Sequence, residues 1–155
     1  MPSFESEKEI ICKMLESNGY GMRDGKMHGD DFRLFLTPPK FEVESEEVFK
    51  LKGNDSVCCG AEIMMGGEMR DAFFKQSRKD RDNLREKIET ATGVEDLDFF
   101  EIADDGKDFR VSIRAEFPIS KLSEDTFADA MDRLNLAGGS VEDTWNEYFD
   151  KLIGS

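Results

Sequence analysis

Apolar positions along the chain switch between a helical period and a period of two. Over residues 6–17, Ile10, Ile11, Met14 and Leu15 share one helical face. Ser6 and Glu9 have the spacing of a capping box, and Asn18-Gly19 supplies a stop. The pattern then becomes strand-like. Asp24-Gly25 is a hairpin-turn signal, and in DFRLFLTPP the apolar Phe32, Leu34 and Leu36 alternate with Arg33 until the Pro pair. FEV (41–43) and EVFKLKG (47–53) read as two shorter strands, and GND as a turn. The next strand, 57–65, ends at Gly66-Gly67.

Residues 68–92 return to a helical pattern through Met69, Phe73, Leu84, Ile88 and Ala91. The segment KQSRKDRDN has no apolar residue, so a break is expected before Ser77, with Ser77 as cap and Gly93 as the end. A hairpin follows over 97–118, turning at Asp105-Gly106. Phe109, Val111, Ile113, Ala115 and Phe117 alternate there with Arg110, Ser112, Arg114 and Glu116, as in an antiparallel strand with one wet face. Ser123 then caps a helix with Phe127, Ala130, Met131 and Leu134 in one stripe. AGG interrupts it, and Ser140 and Asp143 mark a second helix carrying Val141, Trp145, Tyr148, Phe149 and Leu152. The expected class is α+β, with about five antiparallel strands and helices packed on them, in the order α-β-β-β-α-β-β-α(α). One domain spans 1–155. DGKMHGDDFRLFLTPP and DGKDFRVSIRAEFP echo one another, which suggests two related helix-plus-hairpin units.

Charge narrows the function classes. The 35 acidic and 21 basic residues leave a net charge of −14, which opposes binding to nucleic acid or to anionic membranes. Residues 1–67 carry −5, residues 68–93 carry +1 and residues 94–155 carry −10. This distribution serves solubility or the attraction of a basic partner. No run approaches the ~20 apolar residues of a membrane span. The acidic opening MPSFESEKEI lacks the apolar core of an export signal. Three cysteines, two of them adjacent, do not make a disulfide framework, so a reducing cytoplasm is expected.

Candidate chemistry centres on SVCCGAEIMMGG, residues 56–67. On a strand, Cys59 points with Val57, Ala61 and Ile63, and Cys58 points the opposite way. The pair then cannot share a metal, and C-x₂₋₄-C spacing is absent. A nucleophilic thiol needs a base, and the single histidine, His28, lies in the loop MHGDD. A thiol-dependent enzyme using Cys58 or Cys59 with His28 is therefore one reading. DDGKD (104–108) lacks the ligand order of a calcium loop, and no phosphate-loop, dinucleotide, nucleophile-elbow or zinc-protease motif occurs. Neither a metal nor a cofactor is expected.

The order of elements, the acidity, and the strand DFRVSIRAEFP followed by SEDTFADAMDRLN resemble the type III secretion chaperone-like fold. That resemblance implies a homodimer that binds protein segments without ATP or cofactor. The second C-terminal stripe is surplus to covering a five-strand sheet. Val141, Trp145, Phe149 and Leu152 are therefore the expected protein-interaction residues, for the dimer or for a captured peptide. The leading function is a cytosolic, non-enzymatic, chaperone-like binding module.

Overall fold

The computed structural model describes residues 4–39, 44–93 and 96–153. Helix α1 (Glu5–Ser17) leads into strands β1 (Gly21–Asp24), β2 (Asp30–Thr37), β3 (Glu46–Leu51) and β4 (Ser56–Met64). Helices α2 (Gly67–Phe74) and α3 (Arg78–Ala91), strands β5 (Phe99–Asp104) and β6 (Phe109–Pro118), a 3₁₀ turn (Ile119–Lys121) and helix α4 (Glu124–Ile153) complete the chain. The strands form one antiparallel sheet of six, ordered β1-β2-β3-β4-β6-β5. The class is α+β as expected, with six strands rather than five. The additional one, β1, is an edge strand whose sequence GMRD has no alternation to betray it. The candidate strand 41–43 lies outside the described residues.

Strand alternation fixes the two faces of the sheet. Phe32, Leu34, Leu36, Val48, Val57, Cys59 and the five alternating residues of β6 turn toward the helices and join one hydrophobic core. Ile11, Met14 and Leu15 of α1 enter it, as do Leu84 and Ile88 of α3. Ile10 does not; it is 46% exposed. Phe73 of α2 meets Phe109 with ring centroids 4.7 Å apart, and Phe109 in turn meets Trp145 at 6.3 Å. These rings tie the middle helices, the sheet and the last helix together.

Several local expectations hold. Ser77 Oγ accepts from Asp80 N (3.2 Å), and α2 and α3 break where the apolar pattern lapses. Ser123 Oγ caps α4 through Thr126 N (3.1 Å). Gly19 and Gly106 take positive φ at the predicted stop and turn. Two local expectations do not hold. Helix α1 starts at Glu5, with Phe4 as N-cap and no side-chain cap. Ser6 therefore sits inside the first turn, where its hydroxyl bonds Glu7 instead of closing a box with Glu9. The Phe4 ring lies under the Lys50 ammonium at 4.1 Å, which anchors this earlier start.

The larger correction is α4. AGG does not end a helix; one helix of 30 residues runs through it. Ser140 is mid-helix, and its Oγ donates back to Leu136 O (3.0 Å). Phe127, Ala130, Met131, Leu134, Ala137, Val141, Trp145 and Phe149 form one unbroken buried stripe. Within this span Gly138 faces the sheet. A Cβ on Gly138 would touch Ile63 Cδ1 at 3.5 Å and Ile113 Cδ1 at 4.0 Å. The continuous stripe and its burial outweigh the helix-propensity cost of two glycines, about 1 kcal/mol each.

Candidate functional site

The buried stripe removes the surface that the sequence pointed to. Val141, Trp145 and Phe149 are core residues, between 0% and 4% exposed. Leu152 lies in the last turn of the same helix. With six strands to cover, the second half of α4 is needed for the core and is not surplus. Val141, Trp145 and Phe149 are unavailable to a dimer partner or peptide unless the domain opens.

Among the described residues, no helix packs on the opposite face of the sheet. Cross-strand register builds it in rows. One row runs Arg33 (β2), Phe49 (β3), Cys58 (β4), Glu116 (β6). The next runs Phe35 (β2), Glu47 (β3), Gly60 (β4), Arg114 (β6), Phe99 (β5). Phe49 and Cys58 are buried but belong to no part of the helix-side core. Their cover is made of charged side chains. The Arg33 guanidinium lies 4.1 Å from the Phe49 ring centre, and Arg114 lies 5.0 Å from both Phe49 and Phe99. Arg114 reaches two strands across the sheet because Gly60, its neighbour on β4, raises no side chain in between. At the outer edge Arg23 stacks on Phe35 at 4.7 Å. Gly25 keeps room for that ring, since a Cβ there would fall 2.0 Å from Phe35.

Carboxylates hold these arginines in place. Arg33 bonds Asp30 Oδ2 (2.8 Å) and Glu47 Oε2 (2.6 Å), and Arg23 pairs with Glu44 (2.9 Å). Arg33 beside Asp30 holds that carboxyl below the usual carboxylate range. Arg114 and Glu116 approach at 3.8 Å, and Arg110 and Glu62 at 3.7 Å. The result is a half-buried lattice of stacked arginines and rings around a shallow cleft of about 480 Å³. Phe35, Glu47, Gly60, Glu62, Phe99 and Arg114 are among its lining residues.

The cysteines answer the thiol reading. The strand register is the expected one, with Cys58 and Cys59 on opposite faces. Cys59 is enclosed between Val48 and Ala115, and burial pushes its thiol up. Cys58, on the face opposite Cys59, is 1% exposed, and its Sγ donates to Glu116 Oε1 (3.1 Å). Burial first, then that carboxylate, push the Cys58 thiol up to about 12. His28 is exposed in the loop between β1 and β2. Cys58 lies two strands beyond β2, about 10 Å across the sheet. The fold therefore does not gather Cys58, Cys59 and His28 into one site. Among the described residues, no three His, Cys, Asp or Glu side chains cluster as metal ligands. Among them too, no helix is long and apolar enough to cross a membrane.

Two further features belong to the helix side. A groove of about 720 Å³ lies between α1 and α4, with Met14, Phe127, Met131, Tyr20 and Asn135 in its walls. Beside it the β3 residue Glu46 is buried in the core, with Oε1 unpartnered. Tyr20 bonds the Glu46 carboxyl and accepts from Asn135 Nδ2 (3.2 Å). Burial raises Glu46 to about 7.

The sequence carried a signal for the open face that alternation alone did not decode. Phe35 and Phe49 stand in the polar phase of their strands, beside Arg33 and Glu47, where a solvent-facing position normally carries no large ring.

No family model matches the chain, and no curated protein does. Among solved structures, an uncharacterized protein from Methanothermobacter thermautotrophicus superposes with a TM-score of 0.79 at 17% identity, covering 92% of this chain and 98% of that one. At that identity the likeness concerns the fold.

Proposed function

We propose that the protein is a non-enzymatic, chaperone-like protein-binding module that works through the open face of its sheet. One observation carries this reading: a sheet face that no helix covers among the described residues is furnished with arginines stacked on phenylalanines. Protein interfaces are enriched in arginine and aromatic residues, and such residues dominate their binding energy. The rings sit among paired charges, so the face stays wettable without a partner and still offers apolar area once the arginines shift. The protonated, buried thiols speak against the thiol-enzyme alternative, because the thiolate is the reactive form. Three free cysteines suit a reducing cytoplasm.

The test is selection of displayed protein fragments on the immobilised domain, repeated with Arg114→Glu and with Arg85→Glu on α3 as control. Clones lost with the first variant and kept with the second support the reading. A set of binders indifferent to Arg114 counts against it. In parallel, both buried thiols of the folded protein should react with a maleimide far more slowly than free cysteine at neutral pH. Fast labelling of Cys58 with a depressed pKa would revive the enzyme reading.

A further inference from the structure

We propose that the protein surface this face takes is that of a second copy of the chain, related by a two-fold axis running along β4; the inference rests on the protein-binding reading above and names its partner. The argument is the order of residues in the row through Gly60. Across the sheet it reads Phe35, Glu47, Gly60, Arg114, Phe99. An aromatic ring stands at each end, opposite charges flank the centre, and the centre has no side chain. Rotation by half a turn about an axis parallel to β4 keeps each row at its own height and reverses it. Glu47 then faces Arg114 of the partner subunit, and Arg114 faces Glu47 of the partner subunit. Phe35 meets Phe99 of the partner subunit, and Gly60 meets Gly60 of the partner subunit. Every position of the row finds its complement, as an isologous interface requires.

The neighbouring rows add no complementary pairs about this axis, and the row through Gly60 alone carries the match. Phe49 falls opposite Glu116 of the partner subunit, and Cys58 lies on the axis beneath its charged cover. Glu62 meets its own equivalent, but each copy brings Arg110, 3.7 Å from Glu62, to neutralise that contact. The absent side chain at Gly60 leaves space for the long Glu47 and Arg114 side chains when two sheets stack about 10 Å apart. Gly60 is itself buried, and a Cβ there would be in contact with Glu47 Cγ and Ile113 O at 3.6 Å, so the long Glu47 side chain already leans over this slot.

Overall charge selects the face as well. Helix α4 carries eight acidic and two basic residues, and α1 four and two, so helix-to-helix association would join like charges. The open face is nearly balanced, with Arg23, Arg33, Arg110 and Arg114 set among carboxylates. Five strands about 4.8 Å apart and roughly six residues long give a footprint of about 500 Å² per copy. The pair then buries about 1,000 Å², the lower bound for a specific interface, so the dimer is weak, concentration-dependent and salt-sensitive. In such a dimer both helical layers, with their α1–α4 grooves, face outward.

Sedimentation velocity on the full chain, from low to high micromolar, reads the self-association. Arg114→Glu opposes two carboxylates twice, Glu47→Arg opposes two guanidinium groups twice, and each should weaken association about tenfold or more. Mixing the two single variants should restore dimerisation as a heterodimer, because both contacts then pair opposite charges. Rescue on mixing cannot arise from an effect within one chain. Phe99→Glu sets a charge against Phe35 of the partner subunit at the exposed end of the row and should abolish association while the melting temperature holds, which keeps the decision open if another charge variant fails to fold. A monomer throughout, or charge variants that dimerise unchanged, or no rescue on mixing, overturns the inference. If the protein is monomeric yet displayed fragments still depend on Arg114, the partner is a different protein and only the dimer fails. If no fragment depends on it either, the binding reading fails too.

Discussion

The two faces of the sheet use the same strands and the same alternation, yet they solve different problems. On the helix side, rows are almost wholly apolar and are closed by α1, α3 and α4. Their stabilisation comes from area removed from water, about 25 cal/mol per Å². On the other side, large rings are buried as well, but by guanidinium groups lying flat on them. Arginine does this because its planar, weakly hydrated group stacks on a ring while keeping hydrogen bonds to carboxylates. A stack of that kind is worth about 0.5–2 kcal/mol and can exchange partners. The covered face therefore specifies the fold, and the open face holds a surface ready to be rearranged. The C-terminal stripe of α4 belongs to the first kind, although its position late in the chain suggests the second.

The largest expected effect separates these two roles. Trp145→Ala removes a ring that packs on Phe109 within the core, at 6.3 Å between centroids, and should destabilise the domain by about 3–5 kcal/mol. Arg114→Glu should cost less, about 1–2 kcal/mol, because it removes half-exposed stacks on Phe49 and Phe99 but leaves the helix-side core intact. Urea unfolding of both variants checks the contrast. A Trp145→Ala protein with unchanged stability and lost self-association would return the binding surface to α4.

How much of this was legible follows from the range of the interactions. Alternation in β2, β4 and β6, the caps at Ser77 and Ser123, and the turns at Gly19 and Gly106 are local, and the chain displays them directly. Strand β1 is not local: Gly21–Asp24 becomes a strand only because β2 offers partners from Leu34 to Thr37. The stacking of Arg114 on Phe49 is less local still, since it requires the order β3-β4-β6 and a glycine between them. Burial of Cys58 under Glu116 has the same origin. Periodicity set it on the face opposite Cys59, as the register shows, but the cover on that face is tertiary. AGG misled for a different reason. Glycine reads as a break by propensity, whereas here Gly138 marks a close crossing over Ile63 and Ile113.

A smaller effect tests the exception within the covered face. Glu46 is a carboxyl among apolar residues, and burial raises it to about 7; Tyr20 bonds it, and its own charge acts on Tyr20 and on Cys59. The folded state therefore keeps this proton in a range where the unfolded chain releases it near the ordinary glutamate value of 4.5. Between those two values the native state binds more protons, so this group's contribution to stability is greatest at the acid end. It is lost as pH rises from about 4.5 to about 7. Glu46→Gln should leave stability near pH 4.5 almost unchanged and raise it above pH 7, by roughly 1–3 kcal/mol. Denaturant midpoints across pH decide this. A variant less stable than the parent at pH 8 would mean that the ionised carboxylate is satisfied, and that the covered face tolerates charge as the open face does.

The smallest effect concerns the helix that carries the covered face across the sheet. Gly139 is exposed in the middle of α4, and a Cβ there would meet nothing within 4 Å. It lies in a continuous helix rather than at a cap, since no positive φ occurs there. Alanine at this position keeps every contact and removes backbone freedom from the unfolded chain, so Gly139→Ala should stabilise the domain by about 0.5–1 kcal/mol. Gly138→Ala tests the adjacent position under a constraint, because its methyl must share space with Ile63 Cδ1 at 3.5 Å. Its gain should be smaller than that at Gly139. Thermal unfolding of the two variants side by side gives the ranking. Two helices joined by a hinge at AGG would reverse the sign at Gly139, because alanine in a left-handed hinge destabilises. A positive shift there, larger than at Gly138, means that a single helix spans the sheet and that both halves of its stripe belong to the core.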